Sequence, residues 1–160
     1  MRLELTPLEL AELLRPGLPP EVKTLTCDTE AIHLSIDASA ALPRALRAAA
    51  PDIRLSLEYQ DCQAGVVMFK VITSVFSLPA TRVVSLLINL FDIPQVDGVR
   101  IDVPQGSPAP RLRLDLNVLV GQAVQGITVR DVRPHNSLWV LSGTIRDFQA
   151  IPTPKPAPSS

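Results

Sequence analysis

Aromatic residues are few in this chain of 160: four Phe, one Tyr and one Trp, 4% of the sequence, while 46% is apolar. A core of stacked rings is thereby excluded, and the interior has to be built from Leu, Val, Ile and Ala. Cysteine is scarcer still. Cys27 and Cys62 cannot make the disulfide framework of a small secreted domain, so reduced thiols are the expectation. The seven glycines do not cluster, which removes phosphate-cradling loops and the dinucleotide fingerprint. Two histidines, His33 and His135, stand without CxxC or HxxxH spacing around them, so neither a metal nor a cofactor is expected.

Charge is also sparse. Charged residues are 19% of the chain, below the usual quarter or so, and the net charge of −1 offers no general attraction to nucleic acid or an anionic membrane. Residues 1–80 carry −3 and residues 81–160 carry +2, too small a contrast to imply a polyanion partner. Glu4, Glu9 and Glu12 interrupt the N-terminal stretch where a signal peptide needs a basic start and an apolar run; the expectation is a cytoplasmic protein. Residues 66–91 hold only Lys70 and Arg82 as charges, yet neither side of either offers the ~20 apolar residues of a span, so no transmembrane segment is expected.

Helix and strand signals alternate along the chain. Thr6-Pro7-Leu8-Glu9 is a capping box followed by Leu10, Leu13 and Leu14 at helical spacing. Residues 22–27 and 32–36 read as a hairpin. Residues 43–50 form a short Ala-rich helix closed by Pro51. Residues 53–59 and 66–76 make a second hairpin, whose second strand is apolar on both faces and therefore reads as central and covered twice. A third helix, 77–94, runs from a Ser77 cap to a Pro94 stop. Residues 99–103 and 111–115 alternate cleanly as a third hairpin. Leu116, Leu119, Val120, Ala123 and Val124 favour a fourth helix, ending at Gly126. Residues 127–132 and 138–145 form the last hairpin.

Helix starts near residues 7, 43, 79 and 116 recur about every 36 residues. The fold class this predicts is α+β, antiparallel sheet with helices, in four helix-plus-β-hairpin units that suggest an αββαββ duplication. Residues 1–150 form a single α+β domain. Residues 151–160, IPTPKPAPSS, form a Pro-rich disordered tail.

The helix 77–94 is apolar nearly all round, with Val83, Val84, Leu86, Leu87, Leu90 and Phe91 spread over its circumference, and needs cover on most sides. It reads as the organising element, and Leu87→Asp is expected to unfold the protein or break its assembly. With Val67, Phe69 and Val71 on the neighbouring strand and the lone Trp139, these residues form the candidate apolar interface or ligand contact. The functional expectation is a non-enzymatic interaction or structural protein that covers this surplus by forming a homo-oligomer or binding a protein partner. The alternative is an apolar-ligand or lipid-binding module. Arg100, Arg111 and Arg113 on the third hairpin, with Arg130 on the fourth, make a weaker candidate anion contact. An enzyme would have to use His135 with Asp131 or Asp147, and no nucleophile motif accompanies them.

Overall fold

The computed structural model describes residues 1–37, 52–73, 84, 85, 88, 97–103, 105 and 109–150. The chain within them is mostly strand. It starts with β1 (Arg2–Leu5), then α1 (Pro7–Leu14) and a 3-10 turn (Arg15–Gly17). Six strands follow: β2 (Val22–Cys27), β3 (Ala31–Asp37), β4 (Asp52–Gln63), β5 (Val66–Thr73), β6 (Val99–Asp102) and β7 (Arg111–Asp115). The chain continues through α2 (Leu116–Gly121) to β8 (Val124–His135) and β9 (Leu138–Ala150). Two antiparallel sheets result: a six-stranded one in the order β2-β3-β4-β5-β7-β6, and a three-stranded one in the order β1-β9-β8.

The expected α+β class of four helix-plus-hairpin units is overturned. Each of the four hairpins forms, but three of them merge into the large sheet, while the fourth pairs with β1, a strand the repeat does not contain. The helices among the described residues are short, eight residues in α1 and six in α2. The fourth helix does not run on to Gly126. Chain beyond Gly121 passes into the 12-residue β8, because Val124, Ile127, Thr128, Val129 and Val132 are β-branched and favour a pleated surface. The 36-residue spacing therefore marks no structural repeat. The second helix, most of the third and the tail 151–160 lie outside the described residues, as do Val83, Leu86, Leu87, Leu90 and Phe91. Val84, Ser85 and Ile88 are helical, and Ile88 is exposed.

Alternation explains the large sheet. Leu25, Ile32, Leu34, Ile36, Ile53, Leu55, Leu57, Val67, Phe69, Val71, Val99 and Leu112 share one face and are buried. Leu10, Leu14 and Leu18, together with Leu116, Leu119 and Val132, pack against that cluster. The opposite face carries Thr24, Thr26, His33, Ser35, Arg54, Ser56, Glu58 and Lys70, all half-buried or exposed. β5 is central, between β4 and β7, but it is not covered twice: its second face holds half-buried Val66, Met68 and Lys70, and Ile72 is 37% exposed. No polar or charged residue among those described is buried.

The two sheets join where the tight turn between β4 and β5 meets β8. Ala64 and Gly65 both take left-handed backbone, φ 51° and 82°, as a two-residue hairpin turn of this kind requires. Gly65 N–H donates to the carbonyl of Arg130 at 3.0 Å and its own carbonyl accepts from Leu116 N–H at 3.0 Å. A Cβ at Gly65 would strike the Val129 carbonyl and the Asn117 side chain. Within the small sheet, a Cβ at Gly143 would run into the Thr128 carbonyl oxygen across the β8–β9 ladder. Gly143→Ala is therefore expected to push these strands apart and cost about 1–3 kcal/mol, read as a lower urea midpoint by circular dichroism.

Candidate functional site

Three surface features carry enough chemistry to be sites. The first is the outer end of the small sheet. Leu5 and Trp139, paired across β1 and β9, face the common core, as does Val132. The same face continues outward through Leu3, Leu141, Ile127 and Ile145. There the cover stops: Met1 and Leu3 are each 43% exposed and Ile145 is 50% exposed. An apolar face that begins in a core and ends in solvent is unusual.

Among the described residues β1 is also an open edge of that sheet. Met1 and Gly143 exchange both backbone hydrogen bonds, at 2.8 and 3.0 Å. Because bonded and unbonded positions alternate in an antiparallel ladder, Leu3 and Leu5 also point their amides and carbonyls toward β9. Those of Arg2 and Glu4 point away from it. Among the described residues no backbone group meets them. The next outward amide, on Thr6, donates to Glu9 Oε2 at 2.8 Å, and this contact together with the Thr6 hydroxyl holds the Glu9 carboxyl below its ordinary range. The capping box of α1 thus closes the edge just past Glu4.

The second feature is a polar cluster on the outer face of the large sheet. The β3–β4 register sets His33 directly opposite Ser56. His33 Nδ1 lies 2.8 Å from Ser56 Oγ, and its Nε2 lies 2.7 Å from Asp28 Oδ2. Asp28 sits in the β2–β3 turn, where its other oxygen accepts from Glu30 and Ala31 N–H groups at 2.8 and 2.7 Å. The His33 bond, then the Glu30 amide, pull the Asp28 carboxyl below its ordinary value. An open groove of about 700 Å³ lies beside His33, Glu58, Tyr59 and Pro134.

A serine, a histidine and an aspartate in bonding contact resemble a nucleophile with its base. What acyl transfer also requires is a pair of free N–H donors at the developing oxyanion. β4 pairs on both sides, with β3 and β5, so the amides beside Ser56 belong to its ladders. The cluster's clear role is to pin the β2–β3 turn to the sheet. A depressed carboxyl pKa adds stability that is full above the ordinary value of 3.8 and fades as pH falls through the lowered one. The gap in urea midpoint between the native chain and Asp28→Asn should therefore narrow as pH drops below about 4.

The third feature is basic. Arg100, Arg111 and Arg113 come together on the outer face of β6 and β7, where Arg100 stands opposite Arg113, and Lys70 opposite Arg111. Arg113 reaches Asp102 at 3.6 Å. Arg130 does not join them; it is exposed on β8, in the other sheet.

The remaining candidates are placed as follows. Val67, Phe69, Val71 and Trp139 are 2–4% exposed and turned into the core of this chain, and Val84 is half-buried. His135 is the last residue of β8, opposite Leu138 and in contact with Asn136 at 3.1 Å, while Asp131 pairs with Arg133 at 3.3 Å. Cys27 and Cys62 are free and half-buried. Burial, then the Asp28 charge, raises the Cys27 thiol to about 11, and burial also raises Cys62, so both stay protonated and unreactive at neutral pH. Among the described residues no His, Cys, Asp and Glu group is arranged to hold a metal, and no helix is long and apolar enough to cross a membrane. No family model, curated protein or solved structure matches this chain.

Neither the open edge nor the His33 cluster is announced by motif spacing. The R-L-E-L alternation of residues 2–5 is the one signal for β1, and four residues are too few to separate a strand from a helix lead-in.

Proposed function

We propose that this chain is a non-enzymatic interaction protein that associates with itself through the outer end of its small sheet. One observation carries the reading: the apolar face that starts at Trp139 and Leu5 in the core runs out to exposed Leu3 and Ile145 beside a strand edge that no described residue pairs with. A sheet edge with free donors and acceptors is a template for another strand, and globular proteins ordinarily blunt it. Among the described residues β1 carries no proline, bulge or covering segment; its edge is limited by its four-residue length and bears the opposite charges Arg2 and Glu4. The proposed setting is the cytoplasm, supported by two thiols that are free and protonated.

Molar mass in solution by light scattering, over a concentration series and with native mass spectrometry on the same sample, tests the reading. A mass that rises with concentration toward a multiple of 17.3 kDa supports it. A monomer at every concentration overturns it, and a monomer carrying extra mass would favour an apolar ligand instead.

A further inference from the structure

We propose that two copies pair β1 against β1, antiparallel about a two-fold axis, in the register that sets Leu3 opposite Leu3 of the second copy. This rests on the self-association reading and names its interface. The backbone selects the register. Arg2 and Glu4 present their amides and carbonyls to the open edge, while Leu3 and Leu5 spend theirs on β9. In an antiparallel ladder, residues that exchange bonds stand directly opposite one another, so outward residues have to face outward residues.

Three two-fold registers meet that condition. One sets Arg2 against Arg2, another sets Glu4 against Glu4, and like charges directly opposite are unfavourable. The third sets Arg2 against Glu4 and Glu4 against Arg2. It engages every outward backbone group of both strands.

The side chains agree with this choice. Arg2 and Glu4 already meet on one face of β1, with Nη2 2.8 Å from Oε1, and pairing would close them into a ring of alternating charges with their copies. On the other face Leu3 meets Leu3 and Met1 meets Leu5, which extends the apolar surface of Leu141 and Ile145 across the axis. The two small sheets become one of six strands. β8 cannot serve in place of β1, because Gly65, Asn117 and Cys62 already occupy Arg130, Val129 and Val132 along it. A short interface of this kind belongs to the weak class, with a dissociation constant on the order of micromolar.

Cysteine placement and charge exchange test the register. Leu3 opposite Leu3 is an unbonded pair with Cα atoms about 4.5 Å apart, within disulfide range. Leu3→Cys should form a covalent dimer under mild oxidation, while the native chain and Arg2→Cys, whose cysteines would be offset by two residues, should not. Arg2→Glu should weaken association about tenfold, and adding Glu4→Arg should restore it to within about twofold. Circular dichroism should show each exposed-edge variant folded. A native dimer in which Leu3→Cys stays unlinked and Arg2→Glu changes nothing would overturn the register and leave self-association standing. A monomeric native chain would overturn both.

Discussion

Trp139→Ala should cost about 3–5 kcal/mol, the range for deleting a large aromatic from a packed interior. Trp139 is 3% exposed and stands on β9, in the small sheet, yet the partners of its ring and of its indole N–H belong to the large one. Its ring meets Tyr59 edge-on with centroids 5.9 Å apart, and Tyr59 meets Phe69 in the same way at 6.3 Å. Its Nε1–H donates to the carbonyl of Asp28 at 2.8 Å. Truncation removes the rings' contact, leaves a cavity between the sheets and takes the donor from a turn carbonyl. As this is the chain's single tryptophan, the measurement is urea unfolding followed by circular dichroism rather than fluorescence. A loss below about 1 kcal/mol would mean that the sheets do not meet at this residue.

Asn117→Ala is expected to cost about 2–4 kcal/mol. Asn117 lies in α2, where Asp115 caps the first turn by accepting from Asn117 and Val118 N–H at 3.0 and 3.2 Å. Its amide then acts as a piece of strand. Oδ1 accepts from Val129 N–H at 2.7 Å, and Nδ2 donates to the Val129 and Ala64 carbonyls at 3.0 and 3.2 Å. Val129 is buried, so its amide and carbonyl would be left without partners, which is the expensive way to lose a hydrogen bond. Asn117→Asp should do no better, since a carboxylate would face two carbonyl oxygens. Faster amide exchange at Val129 would report the same loss locally. Unchanged stability and exchange would show that the β4–β5 turn holds to β8 without this side chain.

Both residues show where the sequence could be read and where it could not. Period-two alternation between turn residues located all four hairpins, and the Thr6 capping box located α1, because those signals lie within a few neighbouring residues. The α+β class fails because helix starts at regular spacing do not make equivalent units: how hairpins share a sheet depends on edges and lengths that no local pattern records. Residues 124–126 turned from helix to strand because β-branched content outweighed an i, i+3, i+4 coincidence. Asn117, like the Asp28–His33–Ser56 cluster, works only in a particular register between distant strands. Trp139 is conspicuous in the sequence, but its partners Tyr59 and Asp28 lie 80 and 111 residues away.

The open edge of β1 was illegible for a related reason. Four alternating residues say nothing about which amides point outward, since that follows from the Met1–Gly143 pair. It is also the point on which the functional account stands. The most direct measurement is amide hydrogen exchange at Arg2 and Glu4, followed from dilute to concentrated protein. Self-association through β1 predicts that both amides exchange freely in dilute solution and gain protection as concentration rises, while Leu3 and Leu5, bonded to β9, are protected throughout. Rapid exchange at Arg2 and Glu4 at every concentration would contradict it.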